Sequence, residues 1–358
     1  MKITFVLPGP ARKPVGGYRV IYEYAGRLAA RGHQVSVVHC ITAPHMRYRT
    51  PLLVRSIGHR LLRSHVPKWF GFRSTVDLRL VSEISDERIP DADAVVATWW
   101  GTAYAVSKLS KSKGAKFYLI QGYEIWDWDE ALVHESYKLG LSNIVIARWL
   151  KEAVEHAGGE VAAVVPNGMS FDLFELSTHI ESRDPLSVAM MYHEGAHKGS
   201  GDGISALELA RKRFPELEAT LFSVYPKPSS LPDWITFVHN PPQAELAQVY
   251  NRHAIFISPS LTEGWPLPPA EAMRCGAAVC ATDIAGHREY AIDGETALLS
   301  PPKNPEALAA NIMRLIDDQD LRISLATRGH AHIGQFTWER AVNAFEKCLL
   351  GVSDAESQ

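Results

Sequence analysis

The sequence predicts an α/β protein built from two doubly wound, Rossmann-like parallel-sheet domains. Three observations carry this. The chain has 358 residues, too many for one ordinary core and suited to two domains of roughly 150 residues each. It opens on a strand–helix–strand alternation. The same alternation restarts near Ser187, after a polar and weakly periodic stretch.

The first run, KITFVL over 2–7, is continuously apolar, as a strand covered on both faces must be. A Pro/Gly-rich loop over 8–17 follows. From about Gly17 to Arg31 the apolar residues Val20, Ile21, Tyr24, Ala25 and Leu28 share one face of a helix, and Gly32 ends it. QVSVVHC over 34–40 is the second strand, so the opening is a βαβ unit with a right-handed crossover. Strand-like runs recur at 94–98, 117–120, 143–147 and 161–165, before the turn signal Pro166-Asn167-Gly168. This sets a first domain over 1–168 and a linker over 169–186.

The second domain spans 187–335, with strands expected at 187–192, 219–225, 235–238, 254–258 and 277–281. Helices are expected at 201–213, 243–251, 267–275, 305–317 and 320–328. In the tail, 336–358, a last helix from about Trp338 to Leu350 carries Ala341, Phe345 and Cys348 on one side, which suits a return onto the first domain. Two doubly wound units imply a ligand-binding cleft between them.

Bulk composition excludes several classes. The net charge of −3 gives no sign of a nucleic-acid binder. Cys40, Cys275, Cys280 and Cys348 form no CxxC pair and no metal spacing, and read as reduced thiols of a cytoplasmic protein. The apolar run after Lys2 is too short for a signal peptide, and no run reaches the ~20 residues needed to span a bilayer.

The chemistry concentrates in Ser258–Gly276, SPSLTEGWPLPPAEAMRCG. A buried strand ends in a loop, and a helix starts near Leu267. The crevice beyond a strand's carboxyl end is where open α/β sheets bind ligands, and a helix start suits a phosphate. Glu263 in the loop and Glu271 in the helix would repel that phosphate; they make sense as acceptors for sugar hydroxyls beside it. Taken singly, either carboxylate reads as an ordinary solvated residue. A second patch, MYHEGAHKG over 191–199, follows a strand directly. A third, Gly16-Gly17, precedes the first long helix, where glycines let the backbone approach a diphosphate. There is neither a GxGxxG nor a Walker lysine pattern, which counts against a dehydrogenase or an ATPase.

The Glu263–Glu271 segment resembles the E-x7-E signature of the family-4 retaining glycosyltransferases, which have the GT-B fold. Gly276, Asp283, Gly286, Glu289-Tyr290, Asp293-Gly294 and the LLSPP run over 298–302 extend the resemblance through the second domain; Gly16-Gly17 and Pro166-Asn167-Gly168 carry it into the first. The resemblance implies a nucleotide diphosphate sugar as donor substrate, no cofactor and no metal. It assigns Glu263 to the transferred sugar and Glu271 to the ribose. Gly264, Trp265 and the Leu267 N–H complete that donor segment. It places Lys198 on the leaving diphosphate, and His193 where relatives carry an arginine. Pro266 stands where relatives often have glycine, and it removes one N–H. Lys198, Glu263 and His193 are the expected catalytic residues.

In the first domain, TWWGTAY over 98–104, QGYEI over 121–125 and HESY over 134–137 resemble a branch that includes bacterial rhamnosyltransferases. Thr102, Gln121 and Glu124 are the candidates for acceptor contact; the histidine that relatives carry near Gln121 is absent. The implied donor is dTDP-, UDP- or GDP-linked, and the implied acceptor a glycan, a lipid-linked sugar or a small molecule, in bacterial surface glycoconjugate synthesis. Alternatives are a non-catalytic sugar-nucleotide-binding subunit and a sugar-nucleotide epimerase on the same fold. Asp91/Asp93 and Asp127/Asp129 match a DxD metal pattern only superficially.

One segment falls outside this scheme. Residues 45–73 hold Arg47, Arg49, Arg55, Arg60, Arg63, Lys68 and Arg73, interleaved with Leu52, Leu53, Ile57, Leu61, Leu62, Trp69 and Phe70, and no acid. Such a segment suits an anionic membrane surface at the inner face of the cell membrane; the alternative is a flap whose apolar side packs on the first domain.

Overall fold

The computed structural model describes residues 1–72, 74–125 and 128–351. It divides into two compact units: residues 1–168 together with the chain from Glu339, and Met169–Trp338.

In the first unit the elements run β1 (Lys2–Leu7), α1 (Gly16–Ala30), β2 (Gln34–Cys40), α2 (Leu52–Leu61), β3 (Asp77–Val81), β4 (Ala94–Ala97), α3 (Trp100–Ser107), β5 (Ala115–Ile120), α4 (Glu130–Ser136), β6 (Ser142–Val145), α5 (Arg148–His156) and β7 (Val161–Val164). The strands form one parallel seven-stranded sheet in the order β3-β2-β1-β4-β5-β6-β7. The central strands β1 and β4 are buried almost throughout, which is why their sequences read as unbroken apolar runs.

The last helix, α12 (Trp338–Leu350), packs chiefly on this unit. Phe345 stacks on Phe5 at 6.0 Å and lies 4.5 Å from the Tyr24 ring, while the Glu346 carboxylate takes hydrogen bonds from Arg31 and His33.

The second unit repeats the plan with β8 (Ser187–Met191), α6 (Ser200–Arg213), β9 (Glu218–Ser223), β10 (Ile235–His239), α7 (Gln243–Arg252), β11 (Ile255–Ser258), α8 (Leu267–Arg274), β12 (Ala278–Thr282), α9 (Ala285–Arg288), β13 (Leu298–Ser300), α10 (Pro305–Asp317) and α11 (Gln319–Ile333). Its six strands are parallel in the order β10-β9-β8-β11-β12-β13. Each sheet reverses its strand order once, between β1 and β4 in the first unit and between β8 and β11 in the second. The loops leaving those strands are the places such a sheet offers to a ligand.

Several short elements escape the sequence pattern. β3 is a half-exposed edge strand, β13 has three residues and α9 has four, all too short or too mixed for periodicity to register. Helix α2 escapes for another reason: none of its residues is buried. The segment expected as a linker is fastened to the second unit. Phe174 is fully buried against Tyr250, and the Arg183 guanidinium donates to the carbonyls of Tyr250, His253, Thr178 and Cys275.

Candidate active site

The loops after β8 and β11 meet at the switch point of the second sheet. The β8 loop ends in a tight turn, Ala196–Lys198, followed by Gly199 in the left-handed region at φ 61°. Only glycine fits there, because a Cβ would run into the Pro259 carbonyl of the β11 loop. The Leu261 N–H donates to the His197 carbonyl at 2.7 Å, locking the two loops together.

This close approach brings Lys198 and Glu263 into contact. The Lys198 ammonium lies 2.7 Å from both carboxylate oxygens, and the Ser260 hydroxyl donates to Oε1 at 2.9 Å. Both side chains are mostly sheltered, at 19% and 12% exposure, where an ion pair is screened far less than on an open surface. Gly286 gives the Glu263 backbone room, since a Cβ at 286 would meet the Glu263 carbonyl. Lys198, Ser260, Glu263, Pro266, Pro268 and Pro269 line a small pocket whose floor is the end of β11. Behind it, His287 holds the loop from within: Nδ1 lies 2.7 Å from the Thr282 carbonyl and Nε2 2.9 Å from the Ser258 hydroxyl. Burial brings the His287 pKa down to about 4, so it acts as a neutral brace.

His193 is not the cation that an arginine would supply. The Gly195 N–H donates to Nδ1 at 2.9 Å, which leaves the ring proton on Nε2, 3.3 Å from the Tyr225 hydroxyl. Burial, then the nearby Lys198 and His197 charges, brings its pKa down to about 4. In this form the residue offers a hydrogen-bond donor on a neutral ring.

The start of α8 also departs from expectation. Its N-cap is Pro266, and Pro268 and Pro269 occupy the second and third helical positions. Of the first four helical positions only Leu267 and Ala270 carry an N–H, so three prolines, rather than Pro266 alone, thin out the phosphate donors. Trp265 is a core side chain, with its ring 4.8 Å from Tyr290 and 5.5 Å from Phe336, so a direct side-chain contact with a donor does not fit its burial. Gly264 sits half-buried in the same loop. Glu271 is 4% exposed and accepts the Tyr250 hydroxyl at 3.0 Å; the solvated helix residue that its sequence position suggests is not what the fold makes of it.

In the first unit, Gly16 and Gly17 form the start of α1 after β1, and the Gln121 amide lies 3.4 Å from where a Cβ on Gly17 would stand. Thr102 is corrected: it is fully buried, its hydroxyl donates to the Trp99 carbonyl at 2.7 Å and accepts the Thr98 and Trp99 N–H groups, so it caps α3 and has nothing left for an acceptor. Glu124 follows β5; its Oε2 is buried with no hydrogen-bond partner among the described residues, and burial pushes the carboxyl up to about 8.

Asp93 accepts the Lys2 N–H at 2.7 Å and Asp91 the Lys113 ammonium at 2.7 Å, both at the entrance to β4. Asp129 caps α4, and Asp127 lies outside the described residues. Among the described residues no group of three or more His, Cys, Asp and Glu is placed to hold a metal ion.

Sequence reasoning missed Ser260, His287, Tyr225 and Tyr250. Ser260 had a local signal, because Ser-x-x-Glu is the spacing at which a hydroxyl and a carboxylate meet in a turn. The others come from distant segments and had none.

Comparison with known proteins fits this geometry. Residues 229–332 match the family model "Glycosyl transferases group 1". Over 110 residues the chain is 33% identical to an uncharacterized glycosyltransferase of Methanocaldococcus jannaschii, covering 31% of each chain. It is 23% identical over 362 residues to the phosphatidyl-myo-inositol mannosyltransferase of Mycolicibacterium smegmatis, covering 94% of this chain and 90% of that one. The fold matches Anabaena HepE, solved with UDP and glucose, at TM-score 0.74 and 16% identity, over 98% of this chain and 100% of that one. Residues 229–332 are thus similar to group 1 glycosyl transferases, and the two parallel-sheet units share the GT-B fold of the solved neighbours. The first of these matches spans less than a third of its relative's length.

Proposed function

We propose that the protein is a retaining glycosyltransferase that moves a sugar from a nucleotide diphosphate donor to a hydroxyl of a glycan, lipid-linked or small-molecule acceptor, in bacterial surface polysaccharide or glycoconjugate synthesis at the cytoplasmic side of the membrane. The observation that carries this reading is the Lys198–Glu263 pair, held at the β8/β11 switch point beside the start of α8. A cation and a sugar-facing carboxylate one hydrogen bond apart match the two halves of a sugar phosphate: the phosphate draws Lys198, and Glu263 accepts from the sugar hydroxyls. HepE, with the same fold, was solved with UDP and glucose, which supports a nucleotide sugar as donor.

In the proposed step the bond between the sugar C1 and the phosphate oxygen breaks while the acceptor oxygen bonds to C1 on the same face. The acceptor's proton passes to the leaving diphosphate oxygen. Charge grows on that diphosphate as it leaves, so Lys198 and the Leu267 N–H contribute most at that moment. His193 donates from Nε2, and the lack of side chains at Gly16 and Gly17 leaves the backbone at the start of α1 open to a ligand. Glu271 meets the ribose by exchanging part of its present bonding. Gln121 and Glu124 serve the acceptor.

The reading is tested by incubating the chain with UDP-, GDP- and dTDP-linked sugars and measuring nucleoside diphosphate release, with and without simple acceptors. Release with one donor supports it. Tight donor binding with no release under any condition would instead support a sugar-nucleotide-binding subunit, a reading favoured by the three prolines at the start of α8 and the neutral His193.

A further inference from the structure

Helix α2 is built inside out. A surface helix of a soluble domain turns its apolar stripe to the core and its charges to water. Here Leu53, Ile57 and Leu61, one turn apart, face solvent together with Val54; Leu53 is 71% and Leu61 80% exposed, and no residue of the helix is buried. The opposite side is polar and turns inward. The Arg55 guanidinium covers the Tyr48 ring at 3.3 Å, and Arg55 Nη2 and His59 Nδ1 are buried polar atoms. The flap alternative is thereby overturned for the helix: the apolar side that was to pack on the domain is the side that faces away from it.

The arrangement is anchored firmly. Past the helix, Arg63 takes a left-handed φ of 46°, and the Ser64 N–H returns to the His59 carbonyl at 3.0 Å. Trp69, Phe70 and Phe72 pack on Tyr22 at 5.3–5.6 Å, and the Trp69 indole donates to the Ala11 carbonyl at 3.0 Å. The segment therefore has its own apolar anchor, and the exposed leucines are surplus to it.

Charge identifies the occupant. From Ile41 to Val76 the sequence contains no Asp or Glu, and Arg47, Arg49, Arg60, Arg63 and Lys68, in or beside the helix in the chain, are all exposed; Arg73, also in this run, lies outside the described residues. An exposed apolar stripe in a segment rich in exposed cations and free of acids is complementary to a bilayer of anionic phospholipid, whose headgroups take the arginines while the leucines enter the acyl boundary. We propose that the solvent-facing side of α2, with Leu62 and the flanking cations, is a docking surface that lays this unit on an anionic membrane. The surface stands independently of the transfer reaction, because no residue in it belongs to the candidate active site.

The test is flotation of the full chain with phosphatidylcholine vesicles containing roughly 30 mol% phosphatidylglycerol, against pure phosphatidylcholine. Wild type is expected to float with the anionic vesicles at least ~10-fold better, and less so as salt is raised. The triple variant Leu53→Ser/Ile57→Ser/Leu61→Ser should weaken vesicle binding ~100-fold or more, since each exposed leucine or isoleucine supplies buried apolar area only at the membrane. Arg49→Gln/Arg60→Gln/Lys68→Gln should remove the preference for anionic lipid. The altered side chains touch solvent, so thermal melting and nucleoside diphosphate binding should be unchanged and serve as the folding control. Failure of wild type to float, or flotation of the triple variant at the wild-type level, overturns the proposal. So does a concentration-dependent dimer, seen by sedimentation, that the same triple variant dissolves while vesicles are ignored; that result would assign the face to a second copy of the chain. None of these outcomes bears on donor turnover.

Discussion

The two switch points of this molecule are built from the same topology and filled with different chemistry. In the second unit the loops after β8 and β11 are tied by a backbone hydrogen bond and meet in an ion pair, Lys198 with Glu263, backed by Ser260 and His287. In the first unit the strands β1 and β4 are joined by the Thr98 hydroxyl on the Val6 carbonyl, and the surrounding loops bring aromatic rings and the carboxyl of Glu124, whose Oε2 is buried. A charged, internally paired site suits a ligand that carries its own charge and can displace the pairing. An aromatic site with a largely protonated carboxyl suits a neutral, hydroxyl-rich one. The same scaffold has thus been specialised by loop residues alone, as fold-level reasoning expects.

Four perturbations sharpen or break this comparison. The largest effect is expected at Lys198. Lys198→Ala should lower turnover ~10²–10³-fold, about 3–4 kcal/mol of transition-state stabilisation, while thermal melting shifts only modestly. Steady-state kinetics beside a melting curve checks it, and an unchanged rate removes Lys198 from the mechanism. Next is Gly199→Ala, which forces a Cβ into the Pro259 carbonyl at a left-handed position. It should destabilise the second unit by about 3 kcal/mol and separate Lys198 from Glu263, and denaturant unfolding measures this.

Thr102→Ala comes third. If Thr102 only caps α3, the variant should lose about 1 kcal/mol of stability and keep its acceptor KM. A raised acceptor KM at unchanged stability would restore Thr102 to the acceptor site.

The last perturbation concerns Glu124 and pH. Its folded-state pKa of about 8 lies above the ordinary carboxyl value, so the folded chain holds a proton that the unfolded chain has lost. Wild-type stability should therefore fall as pH rises from the unfolded carboxyl pKa to about 8, then level off. Glu124→Gln lacks this loss. The melting temperature of the variant relative to wild type should rise by a few degrees across that window, and a pH-independent difference would contradict the buried, protonated carboxyl.

Much of this was legible in the chain itself. The unbroken apolar strands, Gly32 at the end of α1 and the Pro166-Asn167-Gly168 turn announced the doubly wound plan, because burial on both faces leaves strands no polar positions. Glu263 and Lys198 were legible because each follows a strand at the point where such sheets bind ligands. Thr102 was misread because its sequence neighbours are aromatic and suggest a binding loop, whereas its hydroxyl is consumed within one helical turn. Glu271 was singled out by its spacing from Glu263, but its burial was not legible, because nothing local reveals Tyr250, 21 residues earlier in the chain.

Sequence alone determined which residues could do chemistry and on which side of each sheet they lie, since strand direction and period are local properties. Tertiary structure decided their state. It paired Lys198 with Glu263 across 65 residues, made His193 neutral by burying it beside a cation, and left the apolar face of α2 outward. Charge state and exposure depend on what other segments place nearby, and a periodicity, which reports only one segment's own faces, carries no record of that.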